Sequence, residues 1–288
     1  MNEQKKICIT TDCACDLPPD WLKENNVDVV YFYITTDTGC FRDVDEITAR
    51  NLFEYIGRKG TRCVSRAADA ADFRSFFENK LRYYDTVIHI SISSKISDGA
   101  LNAAEGIRLL GENSHRVLLL DSLHLSTGMG HLVVRGVQMV EQDATAEAIL
   151  EELTHMRERI STSFIAHNAE YMHRSGKISK PLAVLCRHFR IHPVFRIVQG
   201  EIRMGGIQIG DYPASIRRYI KKALRHTENI CSDRIFITHA ACLHTDLDTA
   251  RSTVMQYADF QEITVTKASA TISSNCGPRT VGVLFVRK

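Results

Sequence analysis

Four serines fall within seven residues, at Ser91, Ser93, Ser94 and Ser97, between an alternating apolar run at 87–92 and a helix-like pattern from 98 onward. Hydroxyls at the junction of a strand and a helix, next to backbone N–H groups and the positive helix end, can hold a carboxylate or a phosphate without a metal. Serines in this position also serve as plain helix caps, with Ser97 standing just ahead of Asp98. A second chemistry is nucleophilic. Asp121, Ser122 and His124 bring together the groups of an acyl hydrolase, but the chain has no G-x-S-x-G elbow, and Ser93 is flanked by Ile92 and Ser94.

Other motifs carry less. Ser175-Gly176-Lys177-Ile178 has the Gly-Lys pair of a P-loop without its upstream glycine or following hydroxyl. Gly128-Met129-Gly130 opens like a dinucleotide fingerprint, yet Val133 occupies the last glycine position, so it reads as a helix start. The nine cysteines sit in apolar segments without paired CxxC spacing and read as small buried hydrophobes, with no metal expected. Cys13 with Cys15, and the set His239, Cys242 and His244, are the two places where ligand types cluster, and neither completes a metal set. His115, His155, His173 and His226 lie in polar surroundings and read as solvated surface.

The elements that must position these residues belong to a globular protein: 288 residues, 44% hydrophobic and 24% charged, leave room for two domains with sizeable cores. A formal charge of +2 from 36 basic and 34 acidic residues argues against nucleic acid as partner. The opening residues lack the apolar core of a secretory signal and no apolar run reaches spanning length, so a cytoplasmic protein is expected.

Strand-like runs alternate with helical patterns over the first 160 residues, which predicts a parallel α/β sheet. A β-hairpin excursion is expected over 27–45, turning at Asp37-Thr38-Gly39. A helix is expected over 144–160, acidic at its start and basic at its end. From 161 to 288 strand-like segments dominate, which predicts an α+β domain with a mixed sheet. Sites in such folds lie beyond the carboxyl ends of parallel strands. Thr10-Thr11-Asp12, the serines at 91–97 and Asp121-Ser122 are therefore expected to converge.

Taken together, 10-TTDCACDLP-18, 64-VSRAADAADF-73, 91-SISSKISDGALNAA-104, 121-DSLHLSTGMG-130, 171-YMHRSGKIS-179, 191-IHPVF-195 and 276-CGPRTVGVLF-285 resemble the DegV family over nearly the whole chain. The resemblance implies an α/β domain and a smaller α+β domain holding one long-chain fatty acid between them. The carboxylate would lie at the domain junction, where a separate fatty acid kinase subunit phosphorylates it. The chain itself would be a non-catalytic carrier without a cofactor. A buried carboxylate must keep hydrogen bonds, and carried over residue by residue the site falls on Ser65, Arg66, Ser93, Ser94 and Asn275, with Ser97 capping. The hydrolase, or a binder of another anion in the same cleft, is the alternative.

Several positions depart from the family pattern. Val64-Ser65-Arg66 stands where the family has T-S-Q, Ser97-Asp98-Gly99 where it has S-G-T, and Asn275 where it has a histidine. Asparagine brings no positive charge, and Arg66 is the residue that would compensate. Lys177 replaces an arginine, and Gly206-Ile207-Gln208 replaces a basic pair, both on the surface where a kinase would dock.

Overall fold

The computed structural model describes residues 6–59 and 63–288; residues 1–5, part of the opening read above as no secretory signal, lie outside the described residues. In chain order the strands are β1 (Ile7–Asp12), β2 (Asp28–Val30), β3 (Tyr33–Thr35), β4 (Cys40–Arg42), β5 (Val64–Arg66), β6 (Thr86–Ser91) and β7 (Val117–Asp121). They continue as β8 (Ile160–Ile165), β9 (Ile191–Val198), β10 (Glu201–Ile209), β11 (Ile230–Ala240), β12 (Glu262–Lys267) and β13 (Thr280–Arg287).

An all-parallel sheet runs β2-β1-β6-β7. Its central strands are buried on both faces, which is why ICITTD and TVIHIS read as nearly continuous apolar runs. The fully buried polar side chains among them are paired. Thr11 Oγ1 donates to Ile90 O at 2.8 Å, and His89 lies between Thr10 Oγ1 (3.0 Å) and Asp12 Oδ1 (3.3 Å). Asp12 Oδ2 accepts from Ile92 N at 2.7 Å, so the carboxyl end of β1 fixes where the serine loop begins.

A small antiparallel sheet, β4-β3-β5, stands beside it. The turn at Asp37-Thr38-Gly39 is present, closed by Thr36 N donating to Gly39 O at 2.8 Å. The hairpin is narrower than the segment 27–45, because β2 joins the parallel sheet. The chain changes direction at Phe32, whose side chain is wholly buried and whose N–H points at Cys13 Sγ.

The mixed sheet runs β10-β9-β8-β13-β11-β12, antiparallel except for β11 with β12. An α/β fold with a parallel N-terminal sheet and a mixed C-terminal sheet is thus what the chain adopts. The helix expected over 144–160 is Ala146–Arg157, capped by Thr145.

Helix Thr127–Glu141 joins the two large sheets. Its His131 Nε2 meets Leu284 O at 3.0 Å, and Thr127 Oγ1 meets Thr238 Oγ1 at 2.6 Å. A Cβ on Gly128 would stand 2.3 Å from Thr162 Oγ1, and one on Gly130 3.0 Å from Leu17 Cδ2. The Gly-x-Gly pair therefore serves close packing at a helix start.

Candidate functional site

A cavity of about 500 Å³ lies between the loops of the parallel sheet and one face of the mixed sheet. One wall is strand: Thr162 and Phe164 from β8, Thr280, Gly282 and Leu284 from β13, and Thr238 from β11. Phe32, Ile92 and Leu125 come from the parallel-sheet loops, and Thr271, Ile272, Asn275 and Cys276 from helix Ala270–Cys276. The rim carries Ser65, Arg66, Ser94, Lys95, Ser97 and Lys177.

Many wall residues are polar by name, yet their hydroxyls are turned into the protein. Thr162 Oγ1 bonds His124 Nδ1 at 3.0 Å, Thr238 Oγ1 bonds both Thr127 and Thr266, and Thr280 Oγ1 donates to Cys276 O at 2.9 Å. Ser126 Oγ donates to Asp16 Oδ2 at 2.6 Å. A threonine whose hydroxyl is used elsewhere leaves its methyl group to the cavity. His239 also lines the space, and burial pushes its imidazole down to about 4, so it stands there uncharged.

The rim differs. Ser65 Oγ accepts from Asn275 Nδ2 at 3.2 Å and donates to no described group. Arg66 stacks over Tyr33, 4.7 Å from the ring centroid, and forms no ion pair among the described residues. Ser97 is not the helix cap expected of it, since the N-cap position is Asp98; Ser97 Oγ accepts from Gly99 N at 3.3 Å in the turn just ahead of the helix, with its own proton uncommitted. Asp98 is the one carboxylate among the described residues of the lining.

The serine loop itself is not an open N–H cradle. Ser94 N points at the Asp121 carboxylate, Lys95 N at Ser93 Oγ, and the N–H groups of Ile96 and Ser97 both bond Ser93 O. Ser94 Oγ donates to Asp121 Oδ2 at 2.6 Å, so towards the cavity it can only accept.

Ser93 lies outside the lining: wholly buried, it donates to Gly200 O at 2.7 Å. Gly200 follows Gln199 in a two-residue hairpin tip with positive φ at both (50° and 83°), the signature of a type I′ turn. A Cβ on Gly200 would stand 2.8 Å from Ser93 Oγ, so glycine is what lets this tip sit on the serine loop. Ser93→Ala should lower stability by about 1 kcal/mol, seen as a shifted denaturation midpoint, with ligand retention unchanged.

Thr10, Thr11, Asp12, Asp121 and Ser122 gather beneath the loop, as expected, but hold it rather than face the cavity. Among the lining residues that sequence reading passed over are Thr271 and Lys95. Thr271 stands four residues before Asn275, one helical turn away on the same face. Lys95 is the exposed cation within the serine run itself.

The hydrolase arrangement is not formed. His124 Nε2 faces Arg157 O, an acceptor, so it carries the proton, and Nδ1 takes its bond from Thr162. Asp121 is occupied by Ser94 and Leu123, and the Ser122 hydroxyl donates to His124 O. Burial lowers the His124 imidazole to about 4, away from a base poised near neutrality. The thiols of Cys13 and Cys15 are buried, and desolvation raises both. His239, Cys242 and His244 form no metal cluster, and no group of three such residues does so among the described residues.

A model of the DegV family, described as an uncharacterised protein family, matches residues 6–288. The chain belongs to the DegV family. A DegV domain-containing protein of Caldanaerobacter subterraneus is 24% identical over 288 residues, covering 99% of this chain and 100% of that one. Among solved structures, a fatty-acid-binding DegV family protein from Thermus thermophilus superposes with a TM-score of 0.85 at 24% identity, covering 98% of this chain and 100% of its own. A DegV family protein from Eubacterium eligens, loaded with heptadecanoic acid, gives 0.86 at 16% identity with the same coverage. At these identities the DegV structures establish the fold.

Proposed function

We propose that this DegV protein is a cytoplasmic carrier that holds one long-chain fatty acid in the cavity between its sheets, with the carboxylate at the rim. The supporting observation is the division of the cavity. The hydroxyls of Thr162, Thr238 and Thr280 inside it are consumed by the protein, whereas at the rim Ser65 and Ser97 keep protons to give and Arg66 keeps a charge without an ion-pair partner among the described residues. A tail of ~15 methylenes would contribute on the order of 12 kcal/mol at about 0.8 kcal/mol each, before ordering costs. The head group then needs only to be oriented and kept hydrogen-bonded.

On this reading the carboxylate lies against Ser65 and Arg66, while Ser94 and Asn275 shape the site and Ser93 stays structural. Asn275 gives its amide to Ser65 and to Thr271 O, so it aligns the Ser65 hydroxyl. The carrier would present the carboxylate to a separate kinase, with chemistry done by that partner. Native mass spectrometry of the purified protein tests the reading. A retained mass matching a fatty acid is expected. A protein that stays empty when offered hexadecanoic acid, and that labels covalently with a fluorophosphonate, would move the assignment to the hydrolase.

A further inference from the structure

We infer that Gly282 sets the acyl chain length that the cavity accepts; this rests on the lipid-binding reading and adds the residue that selects among its ligands.

Gly282 lies mid-strand in β13, which runs between β8 and β11 at the centre of the mixed sheet. Its neighbours in register are Phe164 on β8 and Thr238 on β11. Thr280 and Leu284, two positions away along the strand, share its face. All four neighbours line the cavity, as Gly282 does. At the centre of this cross of side chains there is none, and the wall is hollowed by the width of one residue.

Glycine inside a strand weakens it and calls for a reason. Here the reason is not backbone conformation. Gly282 is absent from the positive-φ glycines, so an L-residue could take its place without strain in φ. What glycine supplies is space. An added Cβ would stand 3.1 Å from Ser163 O, 3.4 Å from Leu284 Cδ1 and 3.5 Å from Phe164 Cβ, flanked by two cavity-lining side chains. It would be tight against one carbonyl but would meet nothing below 3.0 Å. A methyl group there fills the hollow, and an isopropyl group fills it further. Because the surrounding hydroxyls are committed to protein partners, the hollow suits methylenes.

The test is a binding series from dodecanoic to octadecanoic acid on delipidated wild type, Gly282→Ala, Gly282→Val and Leu125→Ala. Leu125 stands on the parallel-sheet side of the cavity, and its truncation enlarges the space. Each methylene excluded should cost about fourfold in affinity. Gly282→Ala is expected to lose affinity selectively for the longest acids, Gly282→Val to shift the optimum towards dodecanoic acid, and Leu125→Ala to shift it the other way. The inference is overturned if wild type binds these acids while Gly282→Ala and Leu125→Ala keep its ranking, or if Gly282→Ala loses all lengths equally. Wild type that binds none of the acids removes the carrier reading itself. Should Gly282→Val fail to fold, the two milder variants still decide.

Discussion

Replacing Asp16 by asparagine should stabilise the protein at pH 8 and leave it nearly unchanged at pH 4. Asp16 is almost wholly buried, accepts from Ser126 Oγ at 2.6 Å and from Ser269 N at 2.8 Å, and forms no ion pair among the described residues. The titratable groups near it are acids and thiols, none of them cationic: Asp43, Asp12 by way of Cys15, and Cys276. Burial is the largest influence, and it pushes the carboxyl from an ordinary 3.8 up to about 7 against the pull of those hydrogen bonds.

The sign follows from proton counting. Between about pH 4 and about pH 7 the unfolded chain has released this proton while the folded chain keeps it, so stability falls as pH rises through that window. Above it the loss is complete, on the order of 4 kcal/mol at about 1.4 kcal/mol per pH unit. Asparagine can accept from Ser269 N and donate to Ser126 Oγ, keeping the geometry without a charge to bury. Denaturant unfolding of both proteins at pH 4, 6 and 8 should show the difference widening across the window and then levelling. A constant difference would mean that Asp16 is ionised throughout. Asp43, which accepts from Ala270 N and Thr271 N at 2.7 Å each, is raised in the same direction by burial. Its own slope should survive in the variant.

The second large effect concerns the head group. Arg66→Gln, which installs the residue of the family's T-S-Q pattern, should weaken fatty acid binding by about 10- to 100-fold, the worth of one hydrogen bond to a charged group. Asn275 is joined to Ser65, the residue next to Arg66, so a histidine at 275 would bring its charge to the same place. The double variant Arg66→Gln with Asn275→His should regain affinity at pH 5.5, where an exposed imidazole is largely protonated, and not at pH 8. Titrations of all four proteins at both pH values, each compared with wild type at that pH, separate this from the titration of Asp16. Full affinity in Arg66→Gln at both pH values would place the carboxylate elsewhere.

What the sequence made legible follows the strength of its local patterns. The buried parallel strands β1 and β6 announce themselves as apolar runs. β5 carries no such signal. Val64-Ser65-Arg66 is short, has no buried residue, and becomes a strand only by pairing with β3. The serine loop was legible as a place but not as a set of free groups. Whether its N–H groups are available depends on Asp121, 27 residues after Ser94, and on the turn closing upon Ser93 O. Ser93 and Ser94 look alike in sequence, yet one faces the hairpin tip and the other an aspartate.

The position of β13 bears on the order in which the molecule can assemble. It lies between β8 and β11 yet follows both in sequence. During synthesis, before residues 280–287 leave the ribosome, β8–β10 and β11–β12 can form only as separate groups, and His131 lacks its Leu284 partner. The parallel sheet can be complete well before that moment. A nascent chain thus closes its cavity in a single late event, when one strand zips two half-sheets together.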